Sequence, residues 1–146
     1  MLRISADPTE LDVALIHDFL ARGSYWAAGI PRAILERALA NSLCYGGYVD
    51  GAQVAFARAV TDQATFAYLA DVFVVPAHRG KGYGREIVRA LMEDSRLQGL
   101  RRWHLVTRDM QELYAQVGFT ELSHPGQHMQ KHDPNVYRRA ASDEPA

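Results

Sequence analysis

The sequence predicts an α/β domain built on a mixed, largely antiparallel twisted sheet with helices on both faces. Three observations carry this reading. Apolar residues first recur at helical spacing, the period then changes to that of strands around Asp50-Gly51, and a strand, a glycine-rich turn, a helix and another strand follow. A chain of 146 residues, 48% hydrophobic, is long enough to bury one core. The expectation is one domain over residues 1–137 and a flexible tail over 138–146.

Asp7, Pro8 and Glu10 supply an N-cap, a proline at the first helical position and an acidic first turn, so a helix is expected from Pro8 to Arg22. Leu11, Ala14, Leu15, Phe19 and Leu20 fall on one face of it, and Gly23 stops it. Pro31–Asn41 reads as a second helix with Ile34, Leu35, Ala38 and Leu39 inward. Between them lies a loop, residues 24–29, that carries Tyr25 and Trp26.

The segments Leu43–Val49 and Gln53–Val60 flank Asp50-Gly51, a hairpin signal because both central residues of a type I′ turn need positive φ. Thr61-Asp62-Gln63 turns the chain again into Ala64–Val75, which is rich in β-branched and aromatic residues and completes an antiparallel meander. A helix over Arg85–Gln98, capped by Gly99, leads to a strand over Arg101–Thr107, so a right-handed parallel crossover is expected. Asp109 and Glu112 have capping-box spacing for a helix over Met110–Val117, ended by Gly118. Late strands are expected at Phe119–Ser123 and His128–Lys131, and the segment from Arg138 to Ala146 is expected to fray.

Composition excludes several classes. The net charge of −1 and pI near 6.6 remove the general attraction for nucleic acid or an anionic membrane, so any anion site must be local. Neither partner is expected. The single cysteine, Cys44, permits no intramolecular disulfide and reads as a small buried hydrophobe. His124, His128 and His132 are spaced four apart, but Pro125-Gly126 argues against the helix that would align them, and no metal is expected. No stretch approaches the roughly 20 apolar residues of a membrane span or the core of a signal peptide, which predicts a cytoplasmic protein.

The most informative segment is the run from Val74 to Arg85, where an apolar strand enters Arg79-Gly80-Lys81-Gly82-Tyr83-Gly84-Arg85. Alternate glycines let the backbone take positive φ and approach a ligand, and the helix that follows offers unpaired N–H groups at the positive end of its dipole. A pyrophosphate suits such a place. Gly80-Lys81 is followed by Gly82 rather than Ser or Thr, so this is not a P-loop, and neither Arg85 nor Ile87 supplies the third glycine of a dinucleotide fingerprint. A bare strand-to-helix connection would not need Arg79, Lys81 and Arg85 clustered around it.

These residues resemble the Arg/Gln-x-x-Gly-x-Gly/Ala loop of the GNAT superfamily of acyl-CoA-dependent N-acetyltransferases. Leu113-Tyr114-Ala115-Gln116-Val117-Gly118-Phe119 resembles that family's second signature, Leu-Tyr-x-x-x-Gly-Phe. The resemblance covers Leu43 to Phe119, and it implies a splay between the strand ending near Val75 and the one beginning near Arg101. It further implies acetyl-CoA as the acyl donor. The backbone of Phe73, Val74 and Val75 would pair with its pantetheine arm, that of Arg79, Gly80, Lys81, Gly82, Tyr83, Gly84 and Arg85 would cradle its pyrophosphate, and Lys81 and Arg85 would add charge.

The implied reaction is direct attack of an amine on the thioester, with both substrates bound together and no acyl-enzyme. Backbone N–H groups near Val74 would stabilise the oxyanion, and Tyr114, ordinarily protonated at neutral pH, would donate to the departing thiolate. Tyr25 and Trp26 would shape the acceptor pocket. Asp71 stands in the otherwise apolar run Tyr68–Val74, where a carboxylate has to be satisfied. It is either a catalytic group in or beside the acceptor site or a hydrogen-bond partner of the N-terminal region. Against an active N-acetyltransferase of small amines or peptides stand two alternatives. One is a catalytically silent acyl-CoA-binding sensor or subunit; the other is a nucleic-acid contact through Arg79, Lys81, Arg85, Arg89, Arg101 and Arg102. Exposed edge strands make a homodimer a further expectation.

Overall fold

The computed structural model describes residues 1–142. Its strands are β1 (Arg3–Ser5), β2 (Leu43–Val49), β3 (Ala52–Thr61), β4 (Phe66–Val74) and β5 (Arg102–His104), and its helices are α1 (Val13–Asp18), α2 (Arg32–Ala40), α3 (Tyr83–Met92), α4 (Gln111–Ala115) and α5 (Val136–Ser142). The strands form one sheet in sequence order, antiparallel from β1 to β4, with β5 parallel to β4. The fold is the expected α/β architecture, and α3 is the crossover between the parallel pair. Asp50 (φ 51°) and Gly51 (φ 82°) make the type I′ turn.

Alternation along β3 divides the core into two layers. Phe56 points to one face, where it meets Ile16, Leu20, Leu35 and Phe73, while Ala55, Ala57 and Ala59 point to the other, under Ile87, Val88 and Leu91 of α3. The small alanines on β3 leave room for α3 to lie close to the sheet. All three α3 residues are fully buried, and each contributes about 1.5–3 kcal/mol relative to an exposed position.

The first helix is not continuous. Asp7 does cap a short 3-10 turn, Pro8–Glu10, by accepting from the Thr9 N–H at 2.9 Å. Asp12 then starts a second helix by accepting from the Leu15 N–H at 3.0 Å, while its own N–H goes to Gln53 Oε1 at 2.7 Å. This restart turns the apolar face, so Ile16 is buried and Ala14 is exposed, and the helix closes in a π turn over Phe19–Gly23. The π turn places Phe19 flat on Phe73, with ring centroids 4.0 Å apart.

The late strands expected at Phe119–Ser123 and His128–Lys131 are irregular chain on either side of a 3-10 turn, Pro125–Gln127. Of their apolar residues Phe119 packs on the α3 layer, but Met129 is fully exposed and Leu122 is more than a third exposed. Helix α5 takes in Arg138–Ser142, and Tyr137 packs on the Phe56 layer; residues 143–146 of the expected tail lie outside the described residues.

One end of the sheet is opened by an irregularity in β4. Phe56 pairs with Phe73 and Arg58 with Ala70, so Asp71 and Val72 together stand opposite Ala57. Asp71 occupies the left-handed region at φ 56°, as the extra residue of a bulge can. The bulge reverses the facing of the strand, which puts Leu69 and Val72 on the α3 side and Phe73 on the other. Pairing with β5 ends at Tyr68↔His104, while β4 continues to Val74, and the two strands part there.

Candidate active site

The glycine-rich turn leaves β4 through a 3-10 turn, Pro76–His78, and enters α3 at Gly82. Gly80 and Gly82 both stand at φ +80°, and an added Cβ at Gly80 would meet nothing within 4 Å. The first bond of α3 runs from the Glu86 N–H to the Gly82 carbonyl at 3.1 Å, so the N–H groups of Tyr83, Gly84 and Arg85 have no acceptor inside the helix. His78 stacks on Tyr83, and its Nδ1 is a buried nitrogen without a hydrogen-bond partner. The turn is therefore rich in unspent polar groups, which suits a phosphorylated ligand. Lys81 is exposed, Arg85 donates to Gln116 Oε1 at 2.9 Å, and Arg79 folds back so that Nε donates to the Val74 carbonyl at 3.0 Å.

The strand end separates the three expected pantetheine contacts. Val75 spends its N–H on the Val54 carbonyl at 2.8 Å, so it faces β3. By alternation Val74 turns its backbone groups to the open edge, and Phe73 pairs inward with Phe56.

Asp71 sits where the strands part. Its Oδ2 accepts from Arg58 Nε at 2.6 Å and its Oδ1 from Trp26 Nε1 at 2.8 Å, while a second nitrogen of Arg58 donates to the Ser42 hydroxyl at 3.0 Å. The ion pair is buried, with the side chains 17% and 7% exposed. Both carboxylate oxygens are engaged, and one bond reaches the N-terminal region as the second of the two sequence readings expects. Arg58 was legible in principle as the lone charge in the apolar strand Gln53–Val60; Ser42 carried no signal.

Trp26 is 42% exposed and meets Tyr25, 48% exposed, edge to face at 5.1 Å. Tyr25 is held from the opposite wall: its hydroxyl accepts from the Arg108 N–H at 2.9 Å, and the Arg108 guanidinium lies 3.9 Å over its ring. Sequence reasoning missed Arg108, because the loop after β5 has no pattern that marks it. Tyr114 completes the group. Burial, with Tyr25 contributing, pushes its hydroxyl up to about 12, so it keeps its proton throughout the neutral range.

The geometry of α4 explains the sequence Leu-Tyr-x-x-x-Gly-Phe. The Phe119 N–H reaches back to the Tyr114 carbonyl at 3.1 Å, and the Gly118 N–H to that of Ala115 at 3.2 Å. Gly118 takes φ +100°, and the Tyr114 and Phe119 rings meet edge to face at 6.0 Å. These are the two bonds, the left-handed residue and the apolar contact of a Schellman motif. It fixes the Tyr114 backbone and sets Phe119 against its ring, while Leu113 packs 3.7 Å from the Cβ position of Gly84 and ties α4 to the glycine turn. The expected capping box is not formed: the Met110 N–H goes to Thr107 Oγ1 at 3.1 Å, and Asp109 faces Arg108.

Among the described residues no three His, Cys, Asp or Glu side chains converge on a possible metal position. His128 stacks on His104, and the Cys44 thiol is pushed up to about 11 by burial. No described helix is long and apolar enough to cross a membrane.

Residues 13–119 match the acetyltransferase (GNAT) family. A protein of Gibberella zeae named as an acetyltransferase is 36% identical over 133 residues, which cover 76% of this chain and 74% of that protein. The crystal structure of an acetyltransferase of the GNAT family from Xanthomonas campestris pv. campestris has 49% identity and a TM-score of 0.91, over 94% of this chain and 96% of that one. An acetyltransferase from Clostridium acetobutylicum, solved with acetyl-CoA, shares the fold at 15% identity and a TM-score of 0.66, over 90% of this chain and 96% of that one.

Proposed function

The chain belongs to the acetyltransferase (GNAT) family, and on that premise we propose that it transfers acetyl from acetyl-CoA to a primary amine of a small molecule or peptide. The observation that carries this is the set of unspent polar groups in one turn: three helix N–H groups, two open glycine positions and the orphaned His78 nitrogen. When bound, acetyl-CoA supplies a thioester open to direct attack by an amine. The N–H groups of Tyr83, Gly84 and Arg85 hold its diphosphate at the positive end of α3, with charge added by Lys81 and Arg85. Val74 offers its open edge to the extended arm once Arg79 releases its carbonyl, and its N–H donates to the carbonyl oxygen where negative charge grows.

Tyr114 holds a proton that no pH near neutrality removes and gives it to the departing sulfur. Trp26 and Tyr25 wall the acceptor side. Asp71, engaged by Arg58 and Trp26, is a positioning residue: it fixes that wall and the bulge. Thiol release with a panel of amines tests the reading. Tyr114→Phe should bind acetyl-CoA as the parent does and turn over more slowly by about 10²-fold. Parental turnover in that variant would remove the acid role.

A further inference from the structure

We propose that the acceptor amine carries a carboxylate, and that Arg108 is the residue that selects it. The inference rests on the acetyl-transfer reading above and names its acceptor class.

The Arg108 guanidinium carbon lies 3.9 Å over the Tyr25 ring, and the Arg108 backbone N–H holds the Tyr25 hydroxyl at 2.9 Å. Held over an aromatic face through its carbon, a guanidinium still carries its planar fork of N–H donors, and such a fork matches a carboxylate with two parallel bonds. Its ion partner leaves that fork nearly unspent: Asp109 lies at 3.7 Å, with both side chains more than half exposed. The other acidic group of the wall, Asp71, is already neutralised by Arg58 at 2.6 Å. The acceptor wall formed by Trp26, Tyr25 and Arg108 therefore presents one positive fork, only loosely paired with an exposed Asp109, beside two half-exposed aromatic rings.

The same arrangement disfavours the opposite class. The Tyr25 face, which would attract the second ammonium of a polyamine, is covered by a cation already. In the reaction a bond forms between the amine nitrogen and the acyl carbon, and the carbon–sulfur bond breaks. The neutral amine sheds one proton to solvent as its bond forms, the sulfur takes the Tyr114 proton, Tyr114 recovers a proton from solvent, and the carboxylate emerges unchanged.

The test uses matched acceptors with the full chain: phenylalanine against phenylalaninamide, and 5-aminopentanoate against pentylamine, followed by thiol release. In the parent, kcat/KM for each carboxylate should exceed that of its uncharged match by about tenfold or more. Arg108→Gln should bring that ratio to roughly one, mainly by raising KM for the carboxylate member, and Arg108→Lys should restore part of it. A ratio near one in the parent, or a ratio that both variants leave unchanged, overturns the inference while leaving acetyl transfer intact. Calorimetry with acetyl-CoA separates the two levels: absence of acetyl-CoA binding overturns the acetyl-transfer reading, and the acceptor inference falls with it.

Discussion

Asp71→Asn removes one charge from the place where β4 and β5 part and little else. Asparagine tolerates the left-handed conformation at φ 56°, and its side-chain oxygen can keep the bond from Trp26. What is lost is the counter-ion of Arg58, in a pair whose side chains are 7% and 17% exposed. Removing one partner of a buried pair costs about 3–5 kcal/mol. Arg58 keeps the Ser42 hydroxyl at 3.0 Å, but the single amide oxygen of Asn serves Trp26 and its NH2 cannot accept from Arg58, so the loss should fall within that range at its lower end, about 3 kcal/mol. With a urea slope of about 1.5 kcal/mol/M, the unfolding midpoint should drop by roughly 2 M. The double variant Asp71→Asn with Arg58→Met removes both charges and should cost less than the sum of the singles by about 1–2 kcal/mol. A midpoint within about 0.3 M of the parent, or simple additivity, would refute the reasoning. Turnover adds a second reading: abolished activity with undiminished stability would make Asp71 a proton acceptor instead of a positioning residue.

Gly82→Val forces a branched residue to φ +80° at the cap of α3, where its Cβ meets only the far end of Arg85 at 3.9 Å, so the penalty falls on the shape of the turn, and acetyl-CoA affinity should weaken by about tenfold or more. An unchanged dissociation constant would separate the turn from ligand binding. Gly118→Ala meets no atom within 4 Å but must adopt φ +100°, which should cost about 1–2 kcal/mol and lower Tm by roughly 3–6 °C. A smaller fall would mean the Schellman turn relaxes freely. Tyr114 and Tyr45 are both pushed up to about 12 by burial, Tyr45 also by its bond to Asp94. Their contribution is complete below pH 10, where folded and unfolded chains keep the proton. It is lost between about pH 10 and 12, because the unfolded chain ionises first. Urea midpoints should decline over that window, less so for Tyr114→Phe, and a flat profile would contradict the burial of that hydroxyl.

The parts of the molecule that were readable from the sequence are those fixed by local chemistry. Asp50-Gly51 announces its turn because two positive φ angles are needed side by side, and Gly118 announces a helix end because that position also takes a positive φ. Strand β1 was missed because Arg3-Ile4-Ser5 has no period of its own and is extended only through its pairing with Gly46, Gly47 and Tyr48. The late strands failed for the complementary reason: Phe119–Ser123 has strand-like residues but no neighbour to pair with. The break in the first helix depends on Gln53, which takes the Asp12 N–H from another element. The acceptor wall was half readable. Tyr25, Trp26 and Asp71 stand out by type, but the contact from Trp26 to Asp71 spans the fold, and nothing in the local sequence assigns Arg108 to the Tyr25 ring.

The account depends above all on the turn from Arg79 to Arg85 holding the diphosphate of acetyl-CoA. Isothermal titration of the full chain with acetyl-CoA measures this directly. One saturable site is expected, with a dissociation constant on the order of micromolar, about −8 kcal/mol, that weakens as salt is raised. No saturable heat up to about 1 mM, in a chain shown to be folded, would contradict it.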